Sequence, residues 1–119
     1  MGWYNRRMNG GKTIKFSHEL VPLIISGEKT ATWRLWDDKD FRVGDKVTFI
    51  KKPELLPFAE AELVLVKQKT FGQIGEDDND FMGHEQYFDM YKAYSDYYGK
   101  KVERDTPVKI IRFKILKLL

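Results

Sequence analysis

Cysteine is absent from the 119 residues, which excludes disulfides, thiolate metal sites and any cysteine nucleophile. Histidine occurs twice, at His18 and His84, too sparsely for the ligand cluster that holds zinc, and no cofactor is implied. Long apolar runs are missing too. Leu63-Val64-Leu65-Val66 is among the longest and is far too short to span a bilayer as a helix. No apolar leader precedes a small-residue cleavage site, so a cytoplasmic protein with no membrane partner is expected. Nor is there a glycine-rich phosphate loop, an internal repeat or a linker, which argues against a doubly wound dinucleotide-binding fold.

What remains is enough for one core. A chain of this length fits a single domain, expected over 12–119, and 42% hydrophobic with 14% aromatic residues suits a packed interior. Lys plus Arg outnumber Asp plus Glu by 21 to 18, a mild excess compatible with a polyanionic partner. The acidic residues crowd into Glu76-Asp77-Asp78-Asn79-Asp80, a run that would repel a phosphate backbone and that lacks the glycine and final glutamate of a calcium loop.

Periodicity places the elements. Residues 1–11 show no period and read as a flexible arm. Ile14 and Phe16 alternate with polar neighbours in a short strand, and Ser17 is the expected cap of a helix over His18–Ser26 that Gly27 stops. Strands are expected at Thr30–Leu35, ended by the turn Asp37-Asp38, at Lys46–Lys51 after Gly44-Asp45, and at Phe58–Thr70. In the last of these, Ala59, Ala61, Leu63 and Leu65 share one face, with Val64 and Val66 on the other, also buried. An acidic loop spans 71–83. Tyr87, Met90, Tyr91, Tyr94, Tyr97 and Tyr98 then recur at helical spacing up to Gly99, mostly as core, and a strand over Val108–Leu119 closes the chain. Five or six strands, mostly joined by turns, with two helices give an α+β fold whose largely antiparallel sheet curls into a small barrel.

One segment carries a resemblance. A strand, a short helix and Gly27-x-Lys29-x-x-Thr32-x-Arg34, followed ten residues later by Gly44-Asp45 and another strand, resemble the ASCH domains of the PUA-like superfamily, whose signature is G-x-K-x-x-x-x-R. The likeness continues through Thr70-Phe71-Gly72, the acidic loop, the aromatic helix and the last strand. It implies a PUA-like barrel with a cleft beside the motif and an association with RNA. Some small members are amidohydrolases of N4-acetylcytidine that use a lysine, a threonine three residues later and a glutamate. Lys29 and Thr32 match the first two. The chain departs from the third, placing Met82 near the acidic position and leaving Glu85 or Asp80 to supply the carboxyl.

The chemistry sets conditions on the geometry. A lysine amine titrates near 10.4, so Lys29 can take the Thr32 proton only where burial or a cation such as Arg34 depresses that value. Thr32 would then attack an acyl carbonyl while an acid, Glu85 or Asp80, protonates the leaving amine. Residues three apart on a regular strand face opposite ways, so Lys29 must precede the strand or sit at an irregularity. As a binding module, the chain would instead use Lys29 and Arg34 for phosphate or a base edge and Trp36 for stacking, with Trp33 turned inward. Lys29 and Arg34 read equally as solvated surface charges beside strand-forming threonines, and the tyrosine helix as a protein-interaction face. RNA or a modified nucleoside is the expected partner of a monomeric chain.

Overall fold

The computed structural model describes residues 12–37, 39–74 and 90–119. The arm expected over 1–11, Asp38, and the acidic loop beyond Ile74 with Asp80, Met82, His84 and Glu85 lie outside them. Five strands form one sheet: β1 (Thr13–Ser17), β2 (Ala31–Leu35), β3 (Lys46–Lys52), β4 (Leu56–Thr70) and β5 (Pro107–Leu118). Their spatial order is β1-β3-β4-β5-β2. The β1–β3 pair is parallel and the other three are antiparallel. The expected α+β barrel is thus present as a curled, mixed half-barrel. Side chains from β2 and the loop after it reach across to the opposite edge. Arg34 Nη1 donates to the Lys15 carbonyl at 3.3 Å and Lys39 Nζ to the Thr13 carbonyl at 2.8 Å.

The curl encloses the larger core. Ile14, Phe16, Val47, Phe49, Ala59, Ala61, Leu63, Ile111 and Phe113 meet there with Ile24 of helix α1 (Val21–Ser26). Phe49 lies at its centre, with ring centroids 4.8 Å from both Phe16 and Phe113. The other face of β2 and β5 buries a second cluster of Ala31, Trp33, Leu35, Val108 and Ile110. Helix α2 (Met90–Tyr98) covers that cluster with Tyr91, Tyr94 and Tyr98. Period two therefore divides β2 in a useful way. Ala31, Trp33 and Leu35 anchor one face, and Thr32 and Arg34 are turned to the other.

Two expectations are corrected in detail. The single helix over His18–Ser26 is a 3-10 turn (His18–Leu20) followed by α1, and Ser17 makes no side-chain cap bond. Pro22 supplies the reason. It has no N–H to donate to the His18 carbonyl, so the Val21 N–H takes that acceptor and the first turn tightens. In β4, Val64 and Val66 do not share a buried face. A register shift between Leu63 and Leu65 inserts Val64 as an extra residue, leaving it 44% exposed while Val66 packs on the main core.

Among the described residues, no helix is long and apolar enough to cross a membrane.

Candidate functional site

Gly27 ends α1 with φ of 87°, a left-handed conformation that glycine adopts without a side-chain penalty. The reversal returns the chain at once, so that the Lys29 N–H donates to the Leu23 carbonyl at 2.9 Å. Lys29 therefore lies ahead of β2, off the strand's alternation. It lines the same cavity as Thr32 and Arg34, which meets the geometric condition set by the sequence.

Lys29 is 6% exposed and Thr32 5%. Among the described residues the Lys29 ammonium donates to the Ala31 carbonyl at 2.7 Å. Burial, and secondarily the positive charge of Arg34, lower its pKa from 10.5 to about 8. Arg34 itself is half-buried. Its Nε stands 3.9 Å from an Asp37 carboxylate oxygen and its guanidinium 5.8 Å from the Phe16 ring centroid. These three polar side chains face a cavity of about 210 Å³ between β1, β2 and α2. Tyr94, Tyr97 and Tyr98 line its helical side.

The tyrosines form a linked set. Tyr94 stacks with Tyr98 at 6.4 Å, and Tyr97 meets Tyr98 edge-on at 5.0 Å. Tyr98 is pinned by its hydroxyl, which accepts from the Leu35 N–H at 3.1 Å, and Tyr97 by Lys52, whose Nζ is 3.2 Å from the phenol oxygen. Burial, followed by the neighbouring Tyr98, raises the Tyr94 phenol well above its ordinary value. It therefore remains protonated at neutral pH. The sequence had offered these residues as core. Tyr94 and Tyr98 do pack on the second core cluster, and the 94, 97, 98 spacing sets all three phenols on one helix face at the cavity.

Trp36 stands outside this cavity. Alternation from Arg34 would place it beside Thr32 and Arg34, but its backbone turns left-handed at φ 52° and ends the strand pattern. The indole is 42% exposed. It contacts the Tyr98 ring edge-to-face at 5.4 Å and carries the Lys100 ammonium 4.8 Å from its centroid. With Arg34 and Lys109 it lines a neighbouring groove of about 430 Å³. Glu85 and Asp80, the two acids expected for this role, lie outside the described residues, and among those described no carboxylate lines the Lys29 cavity. Nor does any group of three metal-ligating side chains stand together among them.

Sequence comparison finds no matching family model and no matching curated protein. Solved structures are similar. The ASCH domain from Lactobacillus crispatus superposes with a TM-score of 0.69 at 16% identity, over 87% of this chain and 79% of that one. The ASCH protein of Zymomonas mobilis gives 0.64 at 14% identity, over 90% and 71%. A protein from Enterococcus faecalis gives 0.65 at 18%, over 84% and 68%. At such identities the likeness is one of backbone architecture, and it extends over more than four fifths of this chain in each case: the chain has the α+β, PUA-like fold of the ASCH domains.

Proposed function

We propose that this chain binds RNA or a modified nucleoside, taking one base into the cavity between β2 and α2. The observation that carries the reading is a buried ammonium and a half-buried guanidinium facing a tyrosine-lined space that no described carboxylate enters. Such a space suits a ligand with a flat π-face, carbonyl oxygens and a nearby anion, which is the description of a nucleotide. A tyrosine ring takes the base, Lys29 and Thr32 meet acceptors on its edge, and Arg34 at the rim meets phosphate. The test is titration of single-stranded RNA and of free nucleosides into the protein, with Lys29→Ala alongside. Binding should be lost or greatly weakened in the variant, and RNA binding should weaken with added salt. Equal binding by the variant would refute the placement of the base.

A second reading is favoured by the lowered pKa of Lys29 beside Thr32. Near pH 8 about half of the amine is neutral and can accept the Thr32 proton. The Thr32 oxygen would attack the acyl carbon of an amide such as N4-acetylcytidine. The amine leaves with a proton from an acid, for which Glu85 and Asp80 are the candidates, and water then releases acetate from the acyl-threonine. Acetate release from N4-acetylcytidine, rising with pH through about 8 and abolished in Lys29→Ala and Thr32→Ala, would establish it. Absence of turnover in the parent protein would remove this reading and leave binding.

A further inference from the structure

The displacement of Trp36 from the cavity leads further. Arg34 is shared: it lines the Lys29 cavity on one side and the Trp36 groove on the other. Across the antiparallel β2–β5 pair, Arg34 stands directly opposite Lys109, and both line the groove. Like charges opposed on neighbouring strands are unfavourable unless an anion lies near both. Asp37 supplies part of that anion. One of its carboxylate oxygens is 3.9 Å from Arg34 Nε, and its backbone carbonyl accepts from Lys109 Nζ at 3.4 Å. Lys109 Nζ also donates to the Lys39 carbonyl and lies 5.4 Å from the Phe41 ring centroid, so among the described residues two cations at the groove face the one carboxylate of Asp37.

Trp36 supplies the other half of the site. A bulky side chain in the left-handed region is strained, and such residues cluster where a side chain is held for use. Here the strain presents an exposed indole at the groove, with one cation, Lys100, resting over its ring. A base stacking on that ring would displace an ammonium that is itself suited to phosphate. A cavity of about 210 Å³ is too small for two stacked nucleotides, and the groove shares Arg34 with it.

We propose that the groove bounded by Trp36, Gln68 and Lys109 is a second subsite, continuous with the cavity through Arg34, that receives the nucleotide next to the one in the cavity. The linking phosphate lies against the Arg34–Lys109 pair and the flanking base stacks on Trp36. The ligand is then a strand of at least two nucleotides rather than a free nucleoside. This rests on the cavity holding a base, as proposed above.

The experiment compares cytidine, cytidine 3′-monophosphate and the dinucleotide cytidylyl-adenosine by isothermal titration calorimetry, with parent protein and Trp36→Gly. Stacking of one further base predicts a dinucleotide affinity roughly tenfold or more above that of the monophosphate. In Trp36→Gly that ratio should fall to about one, with the thermal melt little changed because relief of the left-handed backbone offsets the lost contacts with Tyr98 and Lys100. Lys109→Gln should weaken both phosphate-bearing ligands relative to cytidine, which keeps the test independent of the tryptophan variant. If the monophosphate and dinucleotide bind equally to the parent, or if Trp36→Gly leaves the ratio intact, the second subsite is refuted while the cavity reading stands. If none of the three ligands binds, both readings fall.

Discussion

Lys29→Met removes the charge at position 29 while keeping the length of the side chain, and its effect on stability should depend on pH in a defined direction. The native pKa of Lys29 is about 8 against 10.5 in an exposed chain. Below about pH 8 both states are protonated and the native state carries the whole penalty of the buried charge, about 3 kcal/mol for a shift of that size. Between the two values the native state loses its proton first and the unfolded chain binds more, so stability rises with pH. Integrating over that window, about 2 kcal/mol is recovered between neutral pH and about pH 9.5. Other lysines and tyrosines titrate in the same range, but they do so in the variant as well. The quantity to measure is therefore the difference in unfolding free energy between parent and Lys29→Met, from urea denaturation at pH 7 and 9.5. The parent should gain about 2 kcal/mol on the variant across that interval. The lost hydrogen bond to the Ala31 carbonyl offsets both measurements and largely cancels in the comparison. A pH-independent difference would show that Lys29 titrates as a solvated lysine and that burial of its charge is not felt.

Arg34→Gln should raise the Lys29 titration midpoint, followed by NMR of its ε-carbon, but not restore it fully, because burial is the larger cause; an unchanged midpoint would remove Arg34 from the account. Tyr98→Phe deletes the hydroxyl that accepts from the Leu35 N–H and should cost about 1 kcal/mol in urea unfolding, and no loss would mean that water replaces it. Gly72→Ala would bring a methyl group to 3.1 Å from both Cβ and the carbonyl oxygen of Arg104, and should destabilise by about 1–3 kcal/mol; an unaltered melting temperature would contradict that close approach. Asp37→Asn keeps the side-chain oxygen that accepts from the Lys39 N–H but removes the charge beside Arg34, so oligonucleotide affinity should rise, and a fall would argue against phosphate at that position.

The parts of this fold that follow from alternation were readable in the sequence, and those that break it were not. Ile14 with Phe16, and Phe113 two residues after Ile111, sit in the core as period two requires. Val64 breaks the rule because a bulge adds one residue without any change in composition, so Val66 shifts to the face that counting denied it. The helix before the motif was visible from Leu20, Val21 and Ile24, whereas its 3-10 start depends on a single missing donor at Pro22. In the site, Gly27 gave away the reversal that frees Lys29 from the strand's alternation. Trp36 gave no such sign, since nothing in a tryptophan announces a left-handed backbone. The tyrosine face was ambiguous for another reason. Aromatic residues at helical spacing pack a core or wall a cavity equally well, and only the neighbours across the gap decide which.

Several unfavourable local choices meet around Arg34, at Lys29 and Trp36 on either side of it in the chain and at Lys109 across the β2–β5 pair. A methionine at 29 would avoid burying a charge, a glycine at 36 would relax the backbone, and a neutral residue at 109 would remove the repulsion opposite Arg34. The buried charge costs about 3 kcal/mol, the left-handed backbone about 1–3 kcal/mol and the opposed cations less than about 1 kcal/mol, in a fold whose whole margin is about 5–15 kcal/mol. Yet the surrounding strands follow their local preferences closely, with Ala31, Leu35, Ala59, Ala61, Leu63 and Val108 almost wholly buried where the sheet needs them. The contacts made at the three positions, Lys29 with the Ala31 carbonyl, Trp36 with Tyr98 and Lys100, and Lys109 with the Asp37 and Lys39 carbonyls, offset part of that cost. All three share Arg34 as a neighbour in the cavity or the groove, or through its charge, and each lines one of those two spaces. Conflicts with local preference that converge on one arginine are what a binding site leaves in a fold. If the proposed site binds an anionic, flat-faced ligand, substitutions that stabilise this chain at those positions should weaken that binding.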